Sequence, residues 1–229
     1  MSNYIIAIEK SEETHWEKAA KTKMGQYLTK IETDFISEAF SLDQDNVTIM
    51  DVGAEAGRFS LLAKNKNATV VSIDIDSYSL KRLKRKNRDV HIIRADARKL
   101  PIKNEIFDAI FMIEVLDYIN ELQVAFDECN RALKSSAPCF LSFGNKSSIK
   151  SKIKQTRGHA YRHSYRNVIK CLNKSGLEIK KKTGYSWILF GRTSENKLLP
   201  VLAKFEKYMG LRKIPRFSPW VIVHVTKQP

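Results

Sequence analysis

Cysteine is scarce in this sequence: 229 residues hold three, Cys129, Cys139 and Cys171. The number is odd, the spacings are long and no Cys-x-x-Cys pair occurs, so neither a disulfide framework nor a zinc site has support. Each thiol sits among apolar neighbours and reads as a small core group. No metal site is expected. Long hydrophobic runs are missing too, and nothing approaches the ~20 apolar residues of a membrane span. The start of the chain lacks the order of a secretory signal, because Tyr4 to Ile8 is a short apolar patch followed by acids. A cytoplasmic protein is therefore expected. Six prolines and nine glycines are too few and too scattered for a linker, and no repeat or low-complexity segment breaks the chain. Acids are in deficit: 25 Asp and Glu face 40 Lys and Arg, giving a net charge of +15. That balance favours an anionic partner, whether nucleic acid, a membrane surface or a phosphorylated substrate.

What is present is a globular composition, 43% hydrophobic and 28% charged. Residues 11–40 carry an apolar stripe of helical period through Trp16, Ala19, Ala20, Leu28, Ile31, Phe35 and Ile36. Short apolar runs follow as strand candidates: Val47 to Val52, Ala68 to Ile73, Val90 to Arg94, Phe107 to Ile113 and Pro138 to Phe143. Helical patterns at 57–65, 77–87 and 119–133 separate them. Beyond a basic stretch at 144–162, a helix at 163–175 ends on Gly176, and strands are expected at Leu177 to Gly184 and Trp220 to Thr226. Strands alternating with helices predict an α/β fold, a mostly parallel sheet covered on both faces. One domain is expected over 1–229, with a helical lid region at 1–44, a core at 45–186 and an insertion at 187–218 holding a helix near 197–209.

Four loops carry the candidate chemistry. Asp51-Val52-Gly53-Ala54-Glu55-Ala56-Gly57 follows the first strand and opens a helix. Glycines there let a ligand approach the backbone, and a helix N-terminus offers unpaired N–H donors. The second strand ends in Asp74, about twenty residues on, where a carboxylate accepts the ribose hydroxyls of an adenosine-bearing cofactor. Asp96 and Ala97 follow the third strand, where an acid can accept an adenine amine. Ile113 and Glu114 end the fourth. All four loops lie at the carboxyl ends of parallel strands, where open α/β sheets bind ligands.

Together these residues resemble the class I S-adenosylmethionine-dependent methyltransferases, in particular the small-molecule type 11 group, over roughly residues 45–185. The resemblance implies a doubly wound, Rossmann-like sheet of seven strands, mostly parallel with the last antiparallel. It implies S-adenosyl-L-methionine as cofactor. Asp51, Gly53, Ala54 and Gly57 match the motif that contacts the methionine part. Asp74, with Ile75 beside it, matches the ribose-binding acid. Asp96 and Ala97 match the adenine pair, and Ile113 and Glu114 the fourth-strand turn. Arg131 to Lys134 and Tyr165 to Ile179 resemble the family's later turn, helix and sixth strand. Glu55 departs from the pattern, standing where the family usually has a middle glycine. The Gly-x-Gly-x-x-Gly spacing of dinucleotide-binding dehydrogenases is not present.

Methyl transfer needs alignment of the acceptor more than a fixed catalytic motif. His159, His163, Asp117 and Tyr118 are the candidates for proton transfer or acceptor contact, although helix entry explains each of them as well. Tyr27 is a candidate cofactor lid or, equally, a core tyrosine. From Gly144 to Thr183 twelve basic residues face a single acid, Glu178. This stretch is expected to form a positive rim beside the pocket. A small, or lipid- or sugar-linked, anionic acceptor is the first expectation. RNA is the second, and a cofactor-binding protein without catalysis the third.

Overall fold

Runs of Val, Ile, Phe and Met too short for helices become the strands of one sheet in the computed structural model, which describes residues 13–41, 46–153, 161–188 and 190–228. The chain enters through α1 (His15–Lys21) and α2 (Lys23–Ala39). It continues as β1 (Thr48–Val52), α3 (Arg58–Lys64), β2 (Thr69–Asp74), α4 (Ser77–Lys86), β3 (His91–Arg94) and β4 (Ala109–Met112). After α5 (Leu122–Ala132) come β5 (Pro138–Gly144), the short α6 (Ile149–Ile153), α7 (Tyr165–Lys174), β6 (Leu177–Tyr185), α8 (Leu199–Tyr208) and β7 (Trp220–Lys227).

The seven strands lie in the order β3-β2-β1-β4-β5-β7-β6. β7 runs antiparallel to both β5 and β6, and the pairings from β3 to β5 are parallel. Strand order reverses between β1 and β4, so a crevice opens at their carboxyl ends. Alternation along the strands divides the core. Met50, Val52, Ile110 and Met112 pack on one face with Phe126 and Leu172, while Ile49, Phe111 and Phe140 pack on the other with Leu28 and Phe35. Cys129 and Cys139 are buried and Cys171 is half-buried. No helix among the described residues is long and apolar enough to cross a membrane.

The structure departs from the sequence reading at several ends. The helix expected over 11–40 is two helices. Thr22, in an extended conformation, ends α1 and starts α2, its hydroxyl accepting from the Gly25 amide at 3.1 Å. Gly25 is needed where the two helices meet, since a Cβ there would lie 1.9 Å from the Ala19 carbonyl oxygen. The fourth strand shrinks to Ala109–Met112 because Phe107 makes only an isolated bridge to Leu133. The helix expected over 119–133 begins at Leu122, after a 3-10 turn at Leu116–Tyr118.

Candidate functional site

The crevice holds a cavity of about 960 Å³. Its floor is the turn after β1. Gly53 and Gly57 have φ of +73° and +88°, and a Cβ would come within 2.2 Å of Val115 at the first and 2.2 Å of Leu83 at the second. Both positions need glycine for conformation and for space. Glu55 also adopts the left-handed region, at φ +49°. Its amide donates to Asp74 Oδ2 at 2.9 Å, and its own Oε2 accepts from the Ala56 amide at 2.5 Å. Two amides of the turn thus already face carboxylates. Asp74 Oδ1 accepts from the Asp76 amide at 2.9 Å, which fixes the acid at the end of β2. Asp51 is buried, accepts from the Ser60 hydroxyl at 2.5 Å and is pushed up to about 6 by burial.

Asp96 and Ala97 reach the wall from the loop after β3, and Ala54, Ile75 and Ile113 also line it. Arg98 grips both oxygens of Asp96 and holds its carboxyl below the usual range. Glu114 is clamped between Arg58, at 2.9 Å, and Arg192. Burial opposes its ionisation, but the two guanidiniums win and lower its pKa. Behind it Glu32 is fully buried, accepting from Tyr185 Oη at 2.6 Å and Ser142 Oγ at 3.1 Å. Burial, then the nearby Glu114 charge, push the Glu32 carboxyl up.

One side of the cavity is closed by α1. Thr14 caps it with a capping box, and Glu17 pairs with Arg82 and with Lys86, the latter at 2.5 Å, on α4. Burial works against the Glu17 charge, yet these cations lower its carboxyl to about 2. Trp16, Tyr118, Tyr161 and Trp220 gather at the cavity's aromatic end. The Arg192 guanidinium lies 4.7 Å from the Trp16 ring centroid and 5.6 Å from that of Trp220.

Of the residues singled out from the sequence, Asp51, Gly53, Ala54, Asp74, Ile75, Asp96, Ala97, Ile113, Glu114 and Tyr118 converge on this cavity, whereas Gly57 shapes the turn without lining it. Tyr27, His163 and Asp117 do not line it. Tyr27 donates to Glu206 Oε2 at 3.0 Å, because its face of α2 packs towards α8. His163 is buried with Nε2 2.8 Å from the Ile119 carbonyl oxygen. A carbonyl can only accept, so that nitrogen carries the proton and is no base. Asp117 is buried next to Gly144 and pushed up to about 7 by burial. His159 lies outside the described residues.

Among the described residues of 144–183, none of the basic side chains forms the expected rim, and only Tyr161 reaches the cavity wall. Lys180, Lys181 and Lys182 sit on β6, the edge strand at the far end of the sheet. Alternation sends Lys181 towards Glu38 and Phe35, and Lys182 over Tyr165. The cavity's cations come from elsewhere: Lys21, Arg58, Lys86, Arg98 and Arg192. Sequence reasoning also missed His15, Trp16 and Glu17 as wall residues. Trp16 reads as part of an apolar stripe, and nothing local marks Arg192 or Trp220.

Residues 50–141 match the sequence model of a family described as a methyltransferase domain. An uncharacterised protein of Methanocaldococcus jannaschii is 30% identical over 140 residues, 58% of this chain and 60% of that protein. The malonyl-[acyl-carrier protein] O-methyltransferase of Buchnera aphidicola is 31% identical over 107 residues, 47% of this chain and 39% of that enzyme. The matched part therefore spans less than two thirds of either relative. Among solved structures, geranyl diphosphate C-methyltransferase of Streptomyces coelicolor, in complex with Mg2+, a substrate analogue and S-adenosyl-L-homocysteine, superposes with a TM-score of 0.67. It is 15% identical, with 86% of this chain and 76% of that one covered. A Pyrococcus horikoshii protein gives 0.66 at 15% identity, with 91% and 95% covered.

Proposed function

We propose that this chain, a member of the class I S-adenosylmethionine-dependent methyltransferases, binds S-adenosyl-L-methionine in the crevice and transfers its methyl group to a small acceptor with an apolar body and an anionic group. The observation that carries the reading is the single cavity wall holding Asp51, Gly53, Asp74, Asp96 and Glu114 at the strand ends. Its volume, about 960 Å³, lies within the roughly 300–1,000 Å³ of small-molecule sites and leaves room for a cofactor and an acceptor.

S-adenosyl-L-methionine supplies a methyl group on a sulfonium sulfur, with a neutral thioether as leaving group. Asp74 would accept the ribose hydroxyls through lone pairs not used by the Glu55 and Asp76 amides. Asp96 and Ala97 would frame the adenine, with Asp96 held in place by Arg98. The turn from Gly53 to Gly57 would take the methionine end, where Glu55 and the Ala56 amide meet. Glu114 stays ionised between two arginines, so it serves electrostatics rather than proton removal. His15, Tyr118 and Tyr161 are among the wall groups able to move a proton when the acceptor must lose one. The aromatic end, with Arg192 beside Trp16 and Trp220, fits an apolar body carrying a negative group. Lid closure by α1 would exclude water during transfer. The names of the Buchnera aphidicola enzyme and of the Streptomyces coelicolor structural neighbour give malonyl-[acyl-carrier protein] and geranyl diphosphate as their acceptors, in keeping with this acceptor class.

Calorimetry with S-adenosyl-L-methionine, S-adenosyl-L-homocysteine and NAD tests the cofactor. Binding of the first two and not the third is expected, and preference for NAD would replace the reading with a dehydrogenase. Mass spectrometry of a small-molecule extract, incubated with the protein and methyl-labelled cofactor, then identifies the acceptor.

A further inference from the structure

The segment between β6 and β7 leaves an apolar face uncovered. α8 turns one side inward, burying Leu199 and Glu206 and half-burying Leu202 and Ala203. Leu198, Val201, Phe205, Tyr208 and Met209 are instead between 53% and 88% exposed. At ~100° per residue these five fall within an arc of about 100°, so they form a second stripe whose centre lies about 120° round the helix from the buried one. Ile214 and Phe217 extend exposed apolar surface into the following turn. Single exposed hydrophobic side chains are ordinary, but a continuous row marks a surface that meets something apolar.

Cations border the row. Lys197 and Lys204 fall on the flank of the stripe and Lys207 next to them, with exposed Lys213 and Arg216 beyond the helix. Residues 195–217 hold six basic side chains against two acids, and one of those, Glu206, is buried and paired with Arg212.

We propose that this face docks on an anionic lipid surface, with α8 lying in the plane of the interface, its stripe among the upper acyl chains and its lysines at the headgroups. Charge decides the occupant. A second copy of this chain meeting the face through a two-fold axis would set one basic rim against another. A bilayer with acidic headgroups satisfies stripe and rim together, and Tyr208 and Phe205 suit the boundary between water and hydrocarbon. The same segment supplies Arg192 to the cavity wall, so docking and the cavity share one element. The inference does not rest on the methyl-transfer reading.

The test is flotation of the full chain with vesicles of phosphatidylcholine alone or mixed with phosphatidylglycerol. Binding to the mixed vesicles and little to the neutral ones is expected. Phe205→Ser with Tyr208→Ser, and separately Lys204→Glu with Lys207→Glu, should each weaken binding at least ~tenfold. Lys170→Glu with Lys174→Glu, the same charge change on α7, should leave it within about twofold. Circular dichroism checks that each variant is folded. Three results would overturn the proposal: no binding to the mixed vesicles, equal loss from the α7 variant, or full binding by the Phe205 and Tyr208 variant. So would a dimer, seen by sedimentation, that the same two substitutions dissociate.

Discussion

At the scale of single residues, the turn after β1 is held by carboxylates that also face the cavity. Asp74 shows both duties, because it receives the Glu55 and Asp76 amides while standing at the end of β2. Replacing it with alanine should weaken S-adenosyl-L-homocysteine at least tenfold by calorimetry, since each charge-assisted hydrogen bond is worth roughly 1.5–3 kcal/mol. An unchanged affinity in folded variant would remove Asp74 from the site. Glu55 invites the opposite experiment. A left-handed conformation costs a non-glycine residue on the order of 1 kcal/mol, and the Glu55 carboxylate already occupies the Ala56 amide. Glu55→Gly should therefore bind the cofactor several-fold more tightly, measured in the same titration. Looser binding would mean that the Glu55 side chain assists the ligand.

At the scale of elements, α1 matters most and was hardest to read. The hydrophobic period runs unbroken through residues 11–40, and only Thr22 hints at a break, through a capping geometry that any exposed threonine could decline. The break lets α1 turn across the cavity, where Glu17 clasps Arg82 and Lys86 on α4. Glu17→Gln should loosen that clasp and speed both entry and release of the cofactor. Stopped-flow fluorescence of Trp16, which lines the cavity, can follow it, and unchanged rates would show that α1 is not the gate. The pH dependence has a definite sign. Glu17 is lowered to about 2, so its contribution is complete above the ordinary carboxyl range and is lost only as pH falls from about 4.5 towards 2. The clasp is thus constant near neutrality.

At the scale of the whole molecule, buried acids set the opposite trend. Asp117 is raised to about 7 by burial, against an unfolded value near ~3.9. An acid whose proton is held more tightly in the folded state favours folding at low pH, and this advantage disappears as pH rises from about 4 to about 7. Glu32, raised by burial and by Glu114, acts in the same direction. Asp117→Asn removes one such group, so the variant should gain melting temperature relative to the parent as pH is taken from 5 to 8. A constant difference across that range would show that Asp117 does not titrate on unfolding.

The sheet, the order of its loops and the residues at the strand ends were all legible in the amino-acid order. Those signals are local: strand periodicity, a glycine turn, and acids placed where parallel strands must end, as at Asp51, Asp74 and Asp96. What closes the cavity and which charges face it depend on long-range packing instead. Lys180 to Lys182 look like a rim in sequence but lie on the edge strand, because the chain crosses to the far end of the sheet before β7 returns between β5 and β6. Arg192 and Trp220 look unremarkable in sequence, yet that same return brings them beside Trp16 and Glu114. His163 stands away from the cavity wall for a similar reason, its ring being held by the Ile119 carbonyl 44 positions earlier. Periodicity reports which face of an element is buried; the packing of distant elements decides what that face meets.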